Sequence, residues 1–319
     1  MTVSRALSNR PRILAATRAK IIKIAERLGY QPDPDVSKLM YHLRARRKPK
    51  FQSVICALTT RPPEAFNRYT NDLAEGARRR AEALGYGFTL VHVVPAPGLR
   101  RNLQRILLSR GVEGLLVLPL QEATDLRAFL NWGDFSVIAA TSSVTAPLIH
   151  RVMPNHYANM LTLFRQLASR GYRRIGLTMS AAQDNRVNHV FTAAATWHNL
   201  HESQVQIPPL IFETVNSPDL QIWFKRFKPD AIVTNEAVAV TGFAEALGLP
   251  VPGRIGFAST YIEPSSELTG IDELPMEIGA TAIDLLASKL HRRERGLPVT
   301  PTATLVDGRW HPGKSCPSR

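Results

Sequence analysis

Cysteine is nearly missing: two stand in 319 residues, Cys56 in an apolar run and Cys316 in a polar tail. That excludes a disulfide framework and any zinc-ligand spacing, and it fits a reducing compartment such as the cytoplasm. No apolar run approaches the roughly 20 residues that cross a bilayer, so no membrane partner is expected. The first residues hold no apolar core of a secretory signal. Nucleophile-elbow, zincin, P-loop and dinucleotide-binding glycine motifs are all absent. The nine histidines are scattered. His198 and His201 share a helix face but have no evident third metal ligand. Asp272 and Glu273 are adjacent, point in different directions, and make a poor acid/base pair. No catalytic residue, no metal and no cofactor is therefore assigned, and an enzyme is not expected.

Negative charge is also scarce. Asp and Glu number 26 against 40 Lys and Arg, a net charge of +14 and a pI near 10.3. The excess is not spread evenly. Residues 1–50 hold 13 cations against Glu26, Asp33 and Asp35, so +10 of the +14 lies there. Positive charge packed this way is an electrostatic footprint for a polyanion. The remaining residues are nearly balanced, and a mean hydropathy of −0.11 with 44% hydrophobic residues describes a water-facing globule.

The basic head carries a helical pattern. After Thr17, a candidate N-cap, Ile21, Ile22, Ile24, Ala25 and Leu28 recur at helical spacing. Gly29 stands where a left-handed C-terminal cap is expected, and Pro32 and Pro34 forbid continuation. The spacing predicts a helix over 17–28, a short one over 2–7, and a third over 35–44 that runs into the linker Arg46-Arg47-Lys48-Pro49-Lys50.

Thr2-Val3-Ser4-Arg5-Ala6-Leu7, then Thr17-Arg18, then Ala25-Glu26-Arg27-Leu28-Gly29-Tyr30-Gln31-Pro32, together resemble the lactose-repressor (LacI/GalR) family of bacterial transcription regulators. The resemblance implies that the first stretch is the recognition helix of a helix-turn-helix, lying in the major groove. It implies that Leu39 belongs to a hinge helix and wedges into a minor-groove step. The DNA-binding candidates are Thr2, Val3, Ser4, Arg5, Asn9, Thr17, Arg18, Tyr30 and Leu39. In the family another helix precedes this stretch, so the first 48 residues read as a truncated α-helical headpiece plus hinge helix.

Downstream, strand and helix alternate with short joints, which argues for parallel sheets flanked by helices. Strands are expected at 53–59, 88–94, 114–120, 136–140, 171–177, 210–212, 230–235, 254–259 and 303–307. Helices are expected over 65–85, 99–110, 123–132, 156–170, 186–201, 218–227, 237–247 and 276–293. The pattern restarts near His150, giving two similar lobes. The resemblance extends here, through Gly114-Leu115-Leu116-Val117, Arg170-Gly171-Tyr172-Arg173-Arg174-Ile175-Gly176-Leu177, Pro229-Asp230-Ala231-Ile232-Val233-Thr234-Asn235, Ile255-Gly256-Phe257 and Leu268-Thr269-Gly270-Ile271-Asp272. It implies an α/β, two-lobed, periplasmic-binding-protein-like core over 49–319. Lobe one would span about 51–147 plus a carboxyl-terminal return, and lobe two about 150–262. Crossovers are expected near 145–150, 262–270 and 299–302.

Ligands of open parallel sheets bind beyond the carboxyl ends of the strands. The effector candidates there are Thr59, Thr60, Asn155, Arg186, Asn235, Ser259 and Tyr261. Asn155 and Asn235 are equally good helix caps. Sugar-binding members of the family usually carry an aspartate where this chain reads Ala258-Ser259-Thr260. They also carry an arginine inside the helix that here begins near Arg186. Phe191, Trp197, His189 and Tyr261 hint instead at an aromatic pocket. The resemblance implies a homodimer on a palindromic operator and a small-molecule effector, with sugar-like ones among the candidates. The helix near 68–84, with Arg78-Arg79-Arg80, borders the region the family uses to dimerise, and its arginines read equally well as a solvated face. The resemblance implies a DNA-binding transcriptional regulator of repressor type, its operator affinity controlled by a small-molecule effector bound between the two lobes. The rival reading is a headless small-molecule binder without specific DNA affinity.

Overall fold

Parallel strands covered on both faces read as continuous apolar runs, and those runs become two sheets. The structure, a computed structural model, describes residues 15–27, 53–94, 99–213, 218–235 and 237–319. The first sheet contains β1 (Val54–Thr59), β2 (Gly87–His92), β3 (Val112–Val117), β5 (Ser136–Ala139), β7 (Arg151–Pro154) and β13 (Ala303–Val306). Their order is β2-β1-β3-β5-β7-β13, every pairing parallel. The second contains β8 (Ile175–Ser180), β9 (Leu210–Phe212), β10 (Ala231–Thr234), β11 (Gly256–Ser259), β12 (Thr269–Asp272) and β14 (Arg309–His311). Its order is β9-β8-β10-β11-β12-β14, and only β14, on the edge, runs antiparallel.

Helices sandwich each sheet. In the head, α1 (Ala15–Arg27) is the described helix. On lobe one, α2 (Arg68–Ala83) packs on one face with the long α9 (Pro275–Arg292), and α3 (Leu99–Ser109) covers the other. On lobe two, α4 (His156–Ser169), α5 (Ala181–Arg186) and α6 (Val190–His201) lie to one side, with α4 and α6 supplying that core. The opposite side carries α7 (Pro218–Phe227) and α8 (Ala237–Leu247). The α2–α9 contact is so close that a Cβ on Gly76 collides with the Met276 backbone, and one on Gly279 with the Leu73 carbonyl. Glycine at both positions lets the two backbones meet.

Several expectations are corrected. The span 123–132 is not a helix. Thr124–Asp125 forms β4 and pairs with β6 (Val144–Ala146), anchored by Thr124 N–H to the Ser143 carbonyl at 2.8 Å. The helix expected over 186–201 is two helices, broken where Asn188 and His189 adopt φ of 57° and 61°. Asp184 stabilises the break by accepting from the Thr192 hydroxyl at 2.9 Å. α1 begins at Ala15, so Thr17 lies inside the helix rather than capping it; Ala15 and Ala16 are strong helix formers that extend the turn. The helices expected over 2–7 and 35–44 lie outside the described residues.

The three crossings between lobes also fall later than expected. β7 pairs with β5 and β13 and so stays in lobe one, which puts the first crossing at Asn155. β12 pairs with β11, which carries lobe two to Asp272 and puts the second crossing at Glu273–Leu274. The third lies at Asp307–Gly308, between β13 and β14. Polar bonds tie the three together. Asn155 Nδ2 donates to Asp307 Oδ1 at 2.8 Å, His156 Nδ1 meets Glu273 Oε1 at 2.8 Å, and Gly308 N–H donates to Asn159 Oδ1 at 2.8 Å. Among the described residues no helix is long and apolar enough to cross a membrane.

Candidate functional site, an interlobe cleft

Each sheet reverses its winding once, between β1 and β3 in lobe one and between β8 and β10 in lobe two. The crevice beyond the strand ends at such a point is where open α/β sheets take ligands. The polypeptide crosses between lobes just past the ends of β7, β12 and β13, so the carboxyl ends of both sheets face one cleft.

Most sequence-predicted contacts reach this region but are already bonded. The buried Thr59 hydroxyl donates to the Arg61 carbonyl at 3.1 Å and accepts from the Arg61 N–H at 3.0 Å. Thr60 offers its carbonyl to His92 Nε2 at 3.3 Å. Asn155 caps α4, its Oδ1 accepting from Ala158 N–H at 3.3 Å, so the capping alternative describes its side chain. Asn235 Oδ1 accepts from the Thr260 hydroxyl at 2.7 Å. Ser259, fully buried, donates to the Tyr261 carbonyl at 2.5 Å. Arg186 donates to Gln183 Oε1 at 2.7 Å.

Two of the seven meet lobe one directly. Tyr261 sets its ring edge-on to Tyr69 of α2, centroids 5.2 Å apart and planes at 87°. The Arg186 carbonyl accepts from the Ser142 hydroxyl at 3.1 Å. Tyr69, Ser142 and His156 carry no motif and were not predicted. Their available signal is position alone, because Tyr69 and His156 each open a helix that follows a strand end. His156 lies tilted against Phe191, centroids 4.9 Å apart and planes at 58°, and pairs with the buried Glu273. Phe191 is fully buried in the α4–α6 core beside the hinge, not on an open pocket wall. Trp197 packs against the same core, and His189 is largely exposed and bonds Asp184 at 3.0 Å.

The cleft keeps its tyrosines neutral. Burial pushes the Tyr69 phenol well up, with the Glu273 carboxylate adding to the shift and Arg186 opposing it. Burial also raises Tyr261, helped by the carboxylates of Glu263, Asp72, Glu273 and Asp272. Both rings therefore act as hydrogen-bond donors and apolar faces, not as anions.

Elsewhere the chemistry is structural. His198 is buried, stacked on Phe164 at 4.5 Å, and bonded to Glu202 at 3.2 Å. His201 packs on Trp197. Among the described residues no group of three metal ligands forms. Arg78 and Arg79 pair with Glu75 and Glu82, and Arg80 pairs with Asp284 of α9, so these arginines form an ion-paired face. In the head, Thr17, Lys20, Lys23 and Arg27 face solvent. Nothing is described of the Arg18 side chain, and Thr2, Val3, Ser4, Arg5, Asn9, Tyr30 and Leu39 lie outside the described residues.

Comparison with known proteins now adds a family. Residues 1–33 match the family described as bacterial regulatory proteins, lacI family. Residues 164–316 match the periplasmic binding protein-like domain. Catabolite control protein A of Priestia megaterium is 25% identical over 308 residues, spanning 91% of this chain and 89% of its own. A lac repressor dimer solved with operator and the anti-inducer ONPF superposes with a TM-score of 0.59 at 18% identity, over 99% of this chain and 94% of that one. A complex of the transcriptional regulator CelR with cellobiose gives 0.60 at 15% identity, over 98% and 94%. With a headpiece match at one end and a periplasmic-binding-protein-like match behind it, the chain is similar to the lacI family of bacterial transcriptional regulators.

Proposed function

We propose that this regulator binds a palindromic duplex operator as a homodimer in the cytoplasm, and that a small molecule held between the lobes sets its affinity. The observation that carries this reading is the cleft itself. Two lobes touch through Tyr69–Tyr261 and Ser142–Arg186, about three bonded crossings. A ligand that binds one lobe arrangement better than the other shifts the equilibrium between them. The head joins lobe one ahead of β1, so moving the lobes re-spaces two heads on one duplex. Thr2, Val3, Ser4, Arg5, Asn9, Thr17, Arg18 and Tyr30 would contact the operator, with Leu39 at its centre. Thr60, Arg186, Asn235 and Tyr261 would face the effector, joined by Tyr69 and Glu273. CelR, solved with cellobiose, makes sugars the first class to screen.

A mobility-shift titration of the full chain on palindromic and scrambled duplexes tests the DNA part. Preferential retardation of the palindrome that weakens steeply with salt supports it. Equal or absent retardation of both duplexes favours a binder that works without DNA.

A further inference from the structure

Helix α3 places its charges against its own electrostatics. Its first turn holds Arg100 and Arg101 and no acidic residue, although the amino end of a helix favours anions and disfavours cations. Arg101 and Arg105 are like charges one turn apart, a repulsive spacing. No carboxylate occurs from Leu99 through Val112. Among the described residues, no ion pair forms at Arg100, Arg101 or Arg105. Local rules are broken in this way where function compensates.

The arginines also line a concavity. An open surface cavity of about 680 Å³ is lined by Arg100, Arg101, Asn102, Gln104 and Asn131, all exposed or half-buried, so a ligand there would stay partly in solvent. Two of its three amides are fixed from behind. Gln104 Nε2 donates to Asp134 Oδ2 at 2.5 Å, Asn131 Nδ2 donates to the same oxygen at 3.2 Å, and Asn131 N–H donates to Gln104 Oε1 at 3.0 Å. Asp134 is thereby occupied by amides, and the guanidinium groups are left to a ligand. Planar guanidinium forks match phosphate oxygens bidentately.

We propose that this cavity on lobe one, separate from the interlobe cleft, binds a small ligand through a phosphate monoester. Arg100 and Arg101 grip the phosphate, Arg105 adds long-range attraction, and Asn102 and Asn131 take hydroxyl groups of the ligand.

The test is calorimetric titration of the full chain with glycerol 3-phosphate, with glycerol and sulfate as controls. Saturable binding at one site per chain is expected for glycerol 3-phosphate and not for glycerol. R100E/R101E should weaken it at least tenfold. R100Q/R101Q, which removes charge without reversing it, serves should the first variant fail to melt cooperatively. R46E/R47E in the cationic linker should leave binding unchanged. No saturable binding, full affinity in both α3 variants, loss confined to R46E/R47E, or sulfate competing as well as the monoester each overturns the proposal.

Discussion

Tyr69 and Tyr261 hold the lobes together at the mouth of the cleft, and their edge-on geometry is the favoured one for two rings. Such a pair is worth about 0.5–1.5 kcal/mol beyond its area. Tyr261→Ala should therefore release the lobes, and small-angle scattering should record a larger radius of gyration. Tyr261→Phe keeps the ring and should scatter like the wild type; an Ala variant as compact as the wild type contradicts the clasp. A second residue-scale prediction concerns pH. Burial depresses the His198 pKa, with the Glu202 hydrogen bond opposing the shift. The folded protein thus binds this proton less readily than the unfolded chain. Between the folded value and the unfolded value near 6.5, stability rises with pH and falls on acidification. Thermal melts from pH 7 down to 5 should lose less in His198→Gln than in the wild type, once each is referenced to its own value at pH 7. Parallel losses in the two proteins contradict a neutral buried imidazole.

Helix packing carries the next level. Gly76 and Gly279 set α2 against α9 at backbone contact, and α9 returns the chain to lobe one after β12. Gly279→Ala should cost roughly 1–3 kcal/mol by overpacking, read as a lower denaturant midpoint with an unchanged slope; an unaltered midpoint contradicts the close approach. Elements of this kind differ in how far they could be read from sequence. Val54–Thr59, the 114–117 part of β3 and Ala231–Thr234 were legible because buried parallel strands read as apolar runs, whereas the exposed Glu113 hid the start of β3. β4, β6 and β14 were not, since these two- and three-residue strands carry no apolar run of the kind that marks Leu210–Phe212 and form only through a distant partner. The break at Asn188–His189 escaped notice because the apolar spacing runs on across it, while the Asp184 side chain decides the local fold. The crossings were misplaced for a related reason: β7 and β12 declare their lobe only by what they pair with. In the cleft, Tyr261 and Arg186 were found from strand ends, whereas Tyr69, Ser142, His156 and Glu273 are joined by folding from four separate segments.

For the molecule as a whole, charge and hinge divide the work. Ten of fourteen net charges precede the body, and the body supplies two lobes whose crossings are bonded to one another. Coupling between cleft and head requires that both favour one of two lobe arrangements. Asp307→Ala removes the bond from the third crossing to Asn155, and hydrogen exchange should quicken at the crossings while the strand cores keep their protection. Uniform exchange across the body contradicts a hinge at that place. The central claim is that lobe arrangement governs the head on DNA. Its most direct test is fluorescence anisotropy of the full chain on a labelled palindromic duplex, comparing wild type with Tyr69→Ala/Tyr261→Ala across a salt series. The account predicts an affinity changed at least about fivefold, roughly 1 kcal/mol, with the same salt slope, because the phosphate contacts are untouched. Identical affinities in a clasp variant shown by scattering to be open would contradict it.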